Sequence, residues 1–364
     1  MKWMKKVFWV LLAVFVGFLL YLGGMIFYAS STDYVPEAVE IPQLHGEAIK
    51  SSVPDTLNFL NWNIGYCGLG EESDFFYDGG ELVRTPEAWV DKNAEGIREY
   101  LRSLLGETDF YLLQEVDVEA DRSNNKDQMK FISEGLNAYV SAFAPNYKVG
   151  YIPIPLTEPM GSVLGGLGMW SKYYPGKTSR HAYEGNYDWP TYLFFLDRCF
   201  LQMRFPTSHG KELVLINTHN SAFDDGSLKA AQMAMLREVI LAEYALGNYV
   251  IVGGDWNQYP PHYMGVGEMG LRKDQQDEKL FVSPQFLSLD WTWAFDSEVA
   301  TNRSLISPYD PDTTKTGIID YYLLSPNVEL LEVKTDDLDF AYSDHQPVRL
   351  KVALKGKAKE ENPE

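Results

Sequence analysis

Apolar and polar positions follow one another along this chain in short blocks that predict alternating strands and helices. Apolar runs that end in polar residues predict strands over 57–63, 109–115, 148–153, 165–171, 192–205, 212–219, 249–254, 291–295, 318–324, 329–334 and 346–354. Helices are predicted over 85–105, 128–140 and 227–246, the last with an apolar face of Leu228, Ala231, Met235, Val239 and Leu246. Ser227 is expected to cap the start of that helix and Gly247 its end. The pattern predicts an α/β domain.

An uncharged run at residues 7–29 precedes this domain. As a helix its 23 residues would span roughly 34 Å at about 1.5 Å per residue, and a hydrocarbon core is about 30 Å thick. Lys2, Lys5 and Lys6 lie before the run, which predicts a cytoplasmic N-terminus and an exported body. A cleaved signal peptide is the alternative, although signal cores usually span only about 7–15 residues.

The expected organisation has four parts. Residues 1–30 are the membrane anchor or signal, and residues 31–55 are a proline-punctuated linker. Residues 56–354 form the catalytic domain, and residues 355–364 form a charged tail that we expect to be frayed. The chain is therefore predicted to be a single-pass membrane protein with its domain on the exported side. Nothing in the sequence determines the oligomeric state.

Charge and cysteine content narrow the function. Beyond residue 30 the chain has 28 basic and 51 acidic residues, a net charge of −23. Such a body repels polyanions, so nucleic acid is disfavoured as a bulk ligand, whereas a small phosphate held through a cation is allowed. Cys67 and Cys199 are too few for a four-cysteine zinc site. They could pair after export, but two buried thiols are the favoured interpretation.

Polar side chains with metal- and phosphate-binding chemistry cluster at the predicted strand ends. The set comprises Asn63, Glu115, His219, Asp255, Asn257, Asp344 and His345, with Asp320 inside a strand. Functional groups of α/β proteins usually lie where sheet strands end. Each residue alone is more often a turn or surface residue. The joint pattern of oxygen ligands and two histidines indicates a site.

The motifs around these residues, NWNI, LLQEVD, NTH, GGDWN, IDYYLL and SDHQPV, stand in one order along residues 56–354. Together they resemble the endonuclease/exonuclease/phosphatase family of deoxyribonuclease-like, metal-dependent phosphoesterases. The resemblance implies an α/β fold in four layers, with two packed mixed β-sheets flanked by helices. The N-terminal transmembrane helix is an addition to that fold.

The resemblance also implies a role for each residue. Asn63 and Glu115 would hold Mg²⁺ or Mn²⁺, and Asp344 would be a further ligand or a supporting carboxylate. In the implied mechanism Asp255 activates the attacking water, and Asn257 contacts that water or the phosphoryl oxygens. His345 contacts the phosphate and transfers a proton, and Asp320 fixes the tautomer of His345. His219 is the second histidine at the phosphate.

Two further residues match weaker signals. Arg198 stands where family members place a phosphate-binding arginine, although an ion pair on the strand is equally compatible. Glu158, in TEPMG, resembles a short acidic motif of deoxyribonucleases, and this four-residue match implies a role in orienting the first histidine. Gly65 stands where abasic-site endonucleases have an aspartate, so their chemistry is not indicated. Two aromatic segments, residues 65–91 and 173–189, are candidate walls or lids, and His181 is a candidate substrate contact.

Three functions are compatible with these observations. The favoured one is an exported, membrane-tethered phosphoesterase that hydrolyses a lipid headgroup or a small phosphodiester. The second is an extracellular nuclease, and the third is a non-catalytic binding or remodelling protein on the same fold. The aromatic segments and their few basic residues favour the first.

Overall fold

Two seven-stranded β-sheets pack face to face in the part of the chain that the computed structural model describes, residues 2–47, 52–222, 226–261, 263 and 280–356. The helices and strands are α1 (Lys2–Thr32), β1 (Val39–Glu40), β2 (Leu44–His45), β3 (Thr56–Asn63), α2 (Glu87–Ser103), β4 (Phe110–Ala120), α3 (Gln128–Gly135), β5 (Val140–Ile152), β6 (Gly161–Ser171), β7 (Lys177–Ala182), β8 (Cys199–Pro206), β9 (Glu212–His219), α4 (Ser227–Ala245), β10 (Tyr249–Asp255), β11 (Thr292–Ala294), β12 (Asn302–Arg303), β13 (Thr316–Gly317), β14 (Asp320–Leu324), β15 (Val328–Thr335) and β16 (Val348–Leu354).

Both sheets are mixed. The first has the strand order β15-β16-β3-β4-β6-β5-β2, and the second has the order β1-β7-β8-β9-β10-β14-β11. In each sheet one central pair is parallel, β3 with β4 and β9 with β10, and the other pairs are antiparallel. The predicted four-layer sandwich is confirmed, with α2 and α3 outside the first sheet and α4 outside the second.

The inner faces of the two sheets form the main core. Phe59 and Phe110 stack with ring centroids 4.9 Å apart, and their rings lie 6.4 Å from Tyr322 and 5.1 Å from Phe205 of the second sheet, respectively. Fully burying such a side chain stabilises the fold by about 1.5–3 kcal/mol. This apolar layer holds the two sheets together beneath their strand ends.

A bridge of buried amides crosses the apolar layer near one end. Gln114 of β4 donates through Nε2 to Asn61 Oδ1 at 2.8 Å and to Asn217 Oδ1 at 2.6 Å. Asn217 belongs to the second sheet, and its Nδ2 donates back to the carbonyls of Leu113 and Gly168. Asn61 donates to the carbonyl of Gly254. These directional bonds fix one sheet relative to the other.

The outer face of the second sheet is covered by α4, but its packing differs from the prediction. Gly226 rather than Ser227 occupies the N-cap position. Gly247 follows the helix with φ +82°, as the sequence predicts. The buried face is centred on Met233, Leu236 and Ile240, and Leu246 is exposed. Helix α4 is therefore rotated from its predicted orientation.

Residues 31–55, expected to be a free linker, contribute to both sheets. Strand β1 pairs with β7 at the edge of the second sheet, and β2 pairs with β5 at the edge of the first. The segment therefore joins the two sheets at one side of the sandwich.

Three other elements differ from the prediction. Residues 192–205 were predicted as one strand, but Thr191–Phe194 form a 3₁₀ turn and only β8 is extended. The predicted helix 128–140 ends at Gly135, and β5 begins at its expected last residue. Strand β7 was not predicted, because KTSRHA carries no apolar run. Most of the predicted tail lies outside the described residues.

Helix α1 is long, apolar and almost entirely exposed, so it is a candidate membrane anchor or signal sequence. Only Ala29 is buried, in its last turns. That end contacts β5 and the Thr191–Phe194 turn, and the Tyr28 hydroxyl lies beside Gly150.

Both cysteines are buried and unpaired. Cys67 ends the 3₁₀ turn Gly65–Cys67 beside the first sheet, and Cys199 begins β8 in the second. Burial raises the pKa of both thiols, to about 11 for Cys199. The side chains pack as small apolar groups.

Replacing Asn217 by alanine should leave the carbonyls of Leu113 and Gly168 without their side-chain donor. We expect the free energy of unfolding to fall by about 1–3 kcal/mol, the cost of buried polar groups left without partners. Chemical denaturation measures this change. Asn137→Ala, at an exposed position, is the matched control and should unfold like the wild type. Equal stability of the two variants would contradict a structural role for the amide bridge.

Candidate active site

Five strand ends meet over the seam between the two sheets, above the amide bridge. The parallel pairing sets His219 opposite Asp255, and the antiparallel pairing sets Asp255 opposite Asp320. Asn63 ends β3 in the first sheet, and His345 precedes β16 in the same sheet. The seam therefore brings together residues that lie far apart in sequence.

Asn63 connects the carboxylates of the two sheets. Its Nδ2 donates to Glu115 Oε1 at 3.1 Å and to Asp255 Oδ2 at 3.0 Å, and Gly65 N donates to its Oδ1. Glu115 does not end its strand as predicted, because β4 continues to Ala120. It lies at a bulge with φ +52°, and this bend turns the side chain into the cavity.

His345 and Asp320 form a buried ion pair. His345 Nδ1 donates to Asp320 Oδ2 at 2.8 Å. Burial opposes protonation of His345, but the charges of Asp320 and Asp344 outweigh it and raise the pKa of the imidazole well above its ordinary value. Nε2 lies 3.8 Å from Asp255 Oδ2 and 3.0 Å from the side-chain amide of Asn302, whose oxygen must face the ring when Nε2 carries a proton. His345 is therefore a fixed, protonated donor that faces the cavity.

His219 has the opposite protonation state. Burial, and then the nearby charge of Arg198, lower its pKa well below the ordinary value, so the ring is neutral. Its Nε2 lies 3.4 Å from Asp255 Oδ2 and 3.9 Å from Glu115 Oε1. A neutral and a protonated histidine thus flank the same carboxylate, Asp255.

Two carboxylates of the site, those of Asp255 and Asp344, have too little positive charge near them to balance their own. Burial raises the pKa of Asp255 to about 6, with added repulsion from Asp320. Burial raises the pKa of Asp344 to about 7, although His345 partly offsets it. These values favour an additional cation. Carboxylate and amide oxygens are the donors that Mg²⁺ and Mn²⁺ prefer, so Glu115 and Asp344 fit such an ion. Asn63 would have to turn its amide to offer an oxygen, because its nitrogen now faces the carboxylates.

A second group of potential ligand atoms, from Asp255, Asp320 and His345, lies within 4.8 Å. A metal bound there would have to displace the proton that His345 shares with Asp320. We therefore assign His345 Nδ1 and Asp320 Oδ2 to their mutual hydrogen bond and not to a metal ion. Glu115, with a quarter of its side chain exposed, remains open to the cavity.

Gly65 is required by the geometry beside Asp344. Its φ is +48°, and a Cβ added there would lie 2.7 Å from Asp344 Oδ1. An aspartate at this position would strain the backbone and collide with the carboxylate. Glycine at position 65, where abasic-site endonucleases have an aspartate, thus leaves room for Asp344.

The remaining predicted residues are divided between the site and the surface. Asn257 lies at φ +51°, and its N–H donates to Asp255 Oδ1 at 2.9 Å. Arg198 lines the cavity near His219. Glu158 does not reach the site: it is exposed in a turn outside the cavity lining. His181 does not line the cavity either, and stacks on Phe200 at 4.6 Å.

A cavity of about 400 Å³ opens onto these residues. Both aromatic segments contribute walls, as the sequence suggested: Phe75, Tyr77 and Asp78 come from the first, and Tyr187 from the second. Phe195 extends the second wall. The rings of Tyr187 and Phe195 lie 4.7 Å apart, and those of Phe195 and Tyr77 6.2 Å apart. The cavity is thus polar at the strand ends and aromatic opposite them.

Sequence reasoning missed several cavity residues. Asn302, beside His345, lies in the short β12–β13 ribbon and belongs to no motif. Arg122 stacks over Tyr66 at 3.9 Å and forms a bidentate ion pair with Asp117. Asp117 lies in the LLQEVD motif, and a buried carboxylate needs a cationic partner. That requirement is the sequence signal that could have identified Arg122.

Comparison with known proteins places the chain among phosphoesterases. A model of the "Endonuclease/Exonuclease/phosphatase family" matches residues 60–345, well over half the chain. Similar solved structures include an endonuclease/exonuclease/phosphatase from Beutenbergia cavernae DSM 12333, at 18% identity and TM-score 0.56, over 83% of this chain and 72% of that one.

Two further structures share the fold. Human Nocturnin's catalytic domain with bound sulfate has 15% identity and TM-score 0.52, over 86% of this chain and 98% of that one. D. rerio TDP2 complexed with a single strand DNA product has 15% identity and TM-score 0.51, over 82% and 99%. A search of curated proteins finds no significant match. At these identities the structures support the fold alone.

Removing the proton donor should abolish most activity. We expect His345→Ala to lower turnover of an aryl phosphodiester by about 10²–10⁴-fold, as is typical for a positioned acid or base. Asp320→Asn should lower turnover as well, because it removes the charge that keeps His345 protonated. Glu158→Gln, at an exposed position, is the control and should retain wild-type turnover. Wild-type rates in the first two variants would disprove the assignment.

Proposed function

This chain belongs to the endonuclease/exonuclease/phosphatase family and is a metal-dependent phosphoric ester hydrolase; from that premise we propose that it is an exported, membrane-tethered phosphodiesterase. Its substrate is a lipid headgroup ester or a small phosphodiester. One observation carries the proposal: Asp255, a carboxylate suited to activating water, faces the same cavity as the protonated His345–Asp320 pair.

The proposed reaction is in-line attack of water on phosphorus. Asp255 takes a proton from the water, and its pKa of about 6 leaves it ionised yet basic enough at neutral pH. The Asn257 N–H holds its other oxygen in place. The new P–O bond forms as the ester P–O bond breaks, and His345 gives a proton to the departing alcohol oxygen. Asp320 keeps that histidine charged and oriented.

His219 and Arg198 contact the non-bridging phosphoryl oxygens in this proposal. The neutral His219 donates through Nε2 without adding a second buried cation beside His345. Arg198 supplies the positive charge: burial lowers its pKa, and the nearby charges of Glu115 and Asp255 partly offset that shift. Asn63, Glu115 and Asp344 would hold a divalent ion. When bound, Mg²⁺ or Mn²⁺ would offset charge on the phosphoryl oxygens.

The position of α1 supports a membrane tether and a lipid substrate. Its last turns contact the Thr191–Phe194 turn, and the next residue, Phe195, lines the cavity. Trp189, just before that turn, is exposed, and tryptophan is enriched at membrane–water interfaces. A cavity wall would thus lie beside the membrane surface, within reach of lipid headgroups. The lysines before the apolar run support export of the domain.

Charge separates this proposal from the nuclease alternative. The exported part carries a net charge of −23, and the cavity wall opposite the catalytic residues is aromatic. Long polyanions are repelled by such a surface, whereas a single phosphodiester is not. The DNA product in the TDP2 structure keeps the nuclease as the alternative to test.

Full-length protein in detergent should hydrolyse an aryl phosphodiester and phospholipids but not duplex DNA. The panel contains an aryl diester, choline and inositol phospholipids, and DNA, each assayed with Mg²⁺, with chelator and with His345→Ala. We expect activity only with metal and an intact His345. DNA cleavage with the same requirements would make the protein a nuclease. Turnover insensitive to metal and to His345 would contradict the site.

The tether is tested separately, by cell fractionation. We expect the full-length protein to sediment with membranes and to resist alkaline extraction, because the uncharged run is long enough to cross the bilayer. A soluble product that begins near Ser30 would instead identify a cleaved signal peptide.

A further inference from the structure

The aromatic side of the cavity contains one carboxylate that the proposed hydrolysis does not use. Asp78 ends the 3₁₀ turn Phe76–Asp78, and Gly79 follows it with φ +98°. Its side chain lines the same cavity as Glu115 and His345. Within the described residues, no side chain pairs or hydrogen-bonds with its carboxylate. Burial, and then the charge of Glu115, raise its pKa to about 6, so it is mainly ionised at neutral pH.

Aromatic rings surround this part of the cavity. Tyr77 precedes Asp78, and its ring lies 5.6 Å from Phe75 and 6.2 Å from Phe195. Tyr187 continues the row, 4.7 Å from Phe195. All four rings and Asp78 line the cavity, and we refer to these five residues as the aromatic subsite. Its walls come from both aromatic segments.

The nearby cations are engaged elsewhere. Arg122 makes two hydrogen bonds to Asp117, at 3.0 and 2.9 Å, so its charge is balanced within the wall. Arg198 is directed toward the strand ends, where its Nη1 lies 3.5 Å from the His219 carbonyl. Arg303, the third cation of the cavity lining, donates to the carbonyls of Gly70 and Ser73. Within the described residues none of the three forms an ion pair with Asp78. The aromatic subsite therefore combines ring faces with an uncompensated negative charge.

We propose that the aromatic subsite binds an alkylammonium group on the substrate, and so selects phosphodiesters of amino alcohols. Ring faces attract cations, most strongly when the cation is desolvated, and quaternary ammonium groups are bound in this way. Asp78 supplies the opposite charge. An apolar group would bind the rings but would leave the carboxylate buried without a partner, which is unfavourable. This inference rests on the proposed phosphodiesterase activity, since it assigns that enzyme's substrate class.

The test compares two soluble esters that differ only in charge. One is an aryl phosphodiester of choline, and the other is the same ester of 3,3-dimethylbutanol, in which carbon replaces nitrogen. We expect full-length wild-type enzyme to have a kcat/KM about tenfold or more higher for the choline ester. That ratio corresponds to about 1.4 kcal/mol, within the range of one desolvated cation–π contact.

Variants then assign the preference to the aromatic subsite. Asp78→Asn should bring the ratio of the two kcat/KM values close to one, and Tyr77→Leu should lower it. Asp188→Asn removes an exposed acid outside the cavity lining, so it is the control and should keep the wild-type ratio. Because the ratio is internal to each variant, a general loss of activity does not affect it.

Different failures have different meanings. If wild type hydrolyses both esters equally, or if Asp78→Asn keeps the full preference, the amine subsite is wrong while the phosphodiesterase stands. A higher Mg²⁺ requirement in Asp78→Asn, with the ratio unchanged, would make Asp78 a metal ligand and also overturn the inference. If wild type hydrolyses neither ester, nor any other phosphodiester, the proposed function itself fails.

The source of the ammonium ester is distinguished in two further assays. Phosphatidylcholine in vesicles presents the group at a membrane, and glycerophosphocholine presents it in solution. Turnover of either supports the subsite and identifies the source. Absence of turnover for both, with neutral diesters hydrolysed, would overturn it.

Discussion

The buried amide bridge from Gln114 to Asn61 and Asn217 is the constraint on which the site depends. Apolar packing between the sheets is strong but non-directional, so it tolerates small shifts of one sheet over the other. The hydrogen bonds of the amide bridge do not tolerate such shifts, because a shift would leave buried donors and acceptors unpaired. They lie directly beneath the strand ends, and they keep Asn63 within hydrogen-bonding distance of Asp255 on the opposite sheet.

The fixed position of one sheet relative to the other brings several carboxylates together in a buried site. Asp255, Asp320, Asp344 and Glu115 meet there, and two buried cations, His345 and Arg198, lie beside them. The raised pKa values of Asp255 and Asp344 express this imbalance. A divalent ion would correct it and also supply the charge that phosphoryl transfer needs. The same electrostatics keep His345 protonated and leave His219, beside Arg198, neutral.

The sequence predicted Asn63, His219 and Asp255 because each ends an apolar run. The ordered motifs, through the family they resemble, implied the other site residues and the four-layer fold. The failures of the prediction have physical causes. Strands β1 and β2 are held by pairing with distant sheet edges, which no local pattern records. Asn302 reaches His345 from a short ribbon without apolar periodicity. Glu158 matched a four-residue motif, but its turn directs it to solvent. Asp78 gains significance only from rings that distant segments bring around it.

The central claim is that the strand ends form a divalent-cation site at Glu115 and leave His345 bonded to Asp320. A crystal of the full-length protein grown with Mn²⁺ and measured at the manganese absorption edge tests it directly. The account predicts an anomalous peak within coordination distance of a Glu115 carboxylate oxygen, with the His345–Asp320 hydrogen bond intact. A peak between Asp255, Asp320 and His345, or no peak at saturating Mn²⁺, would contradict it.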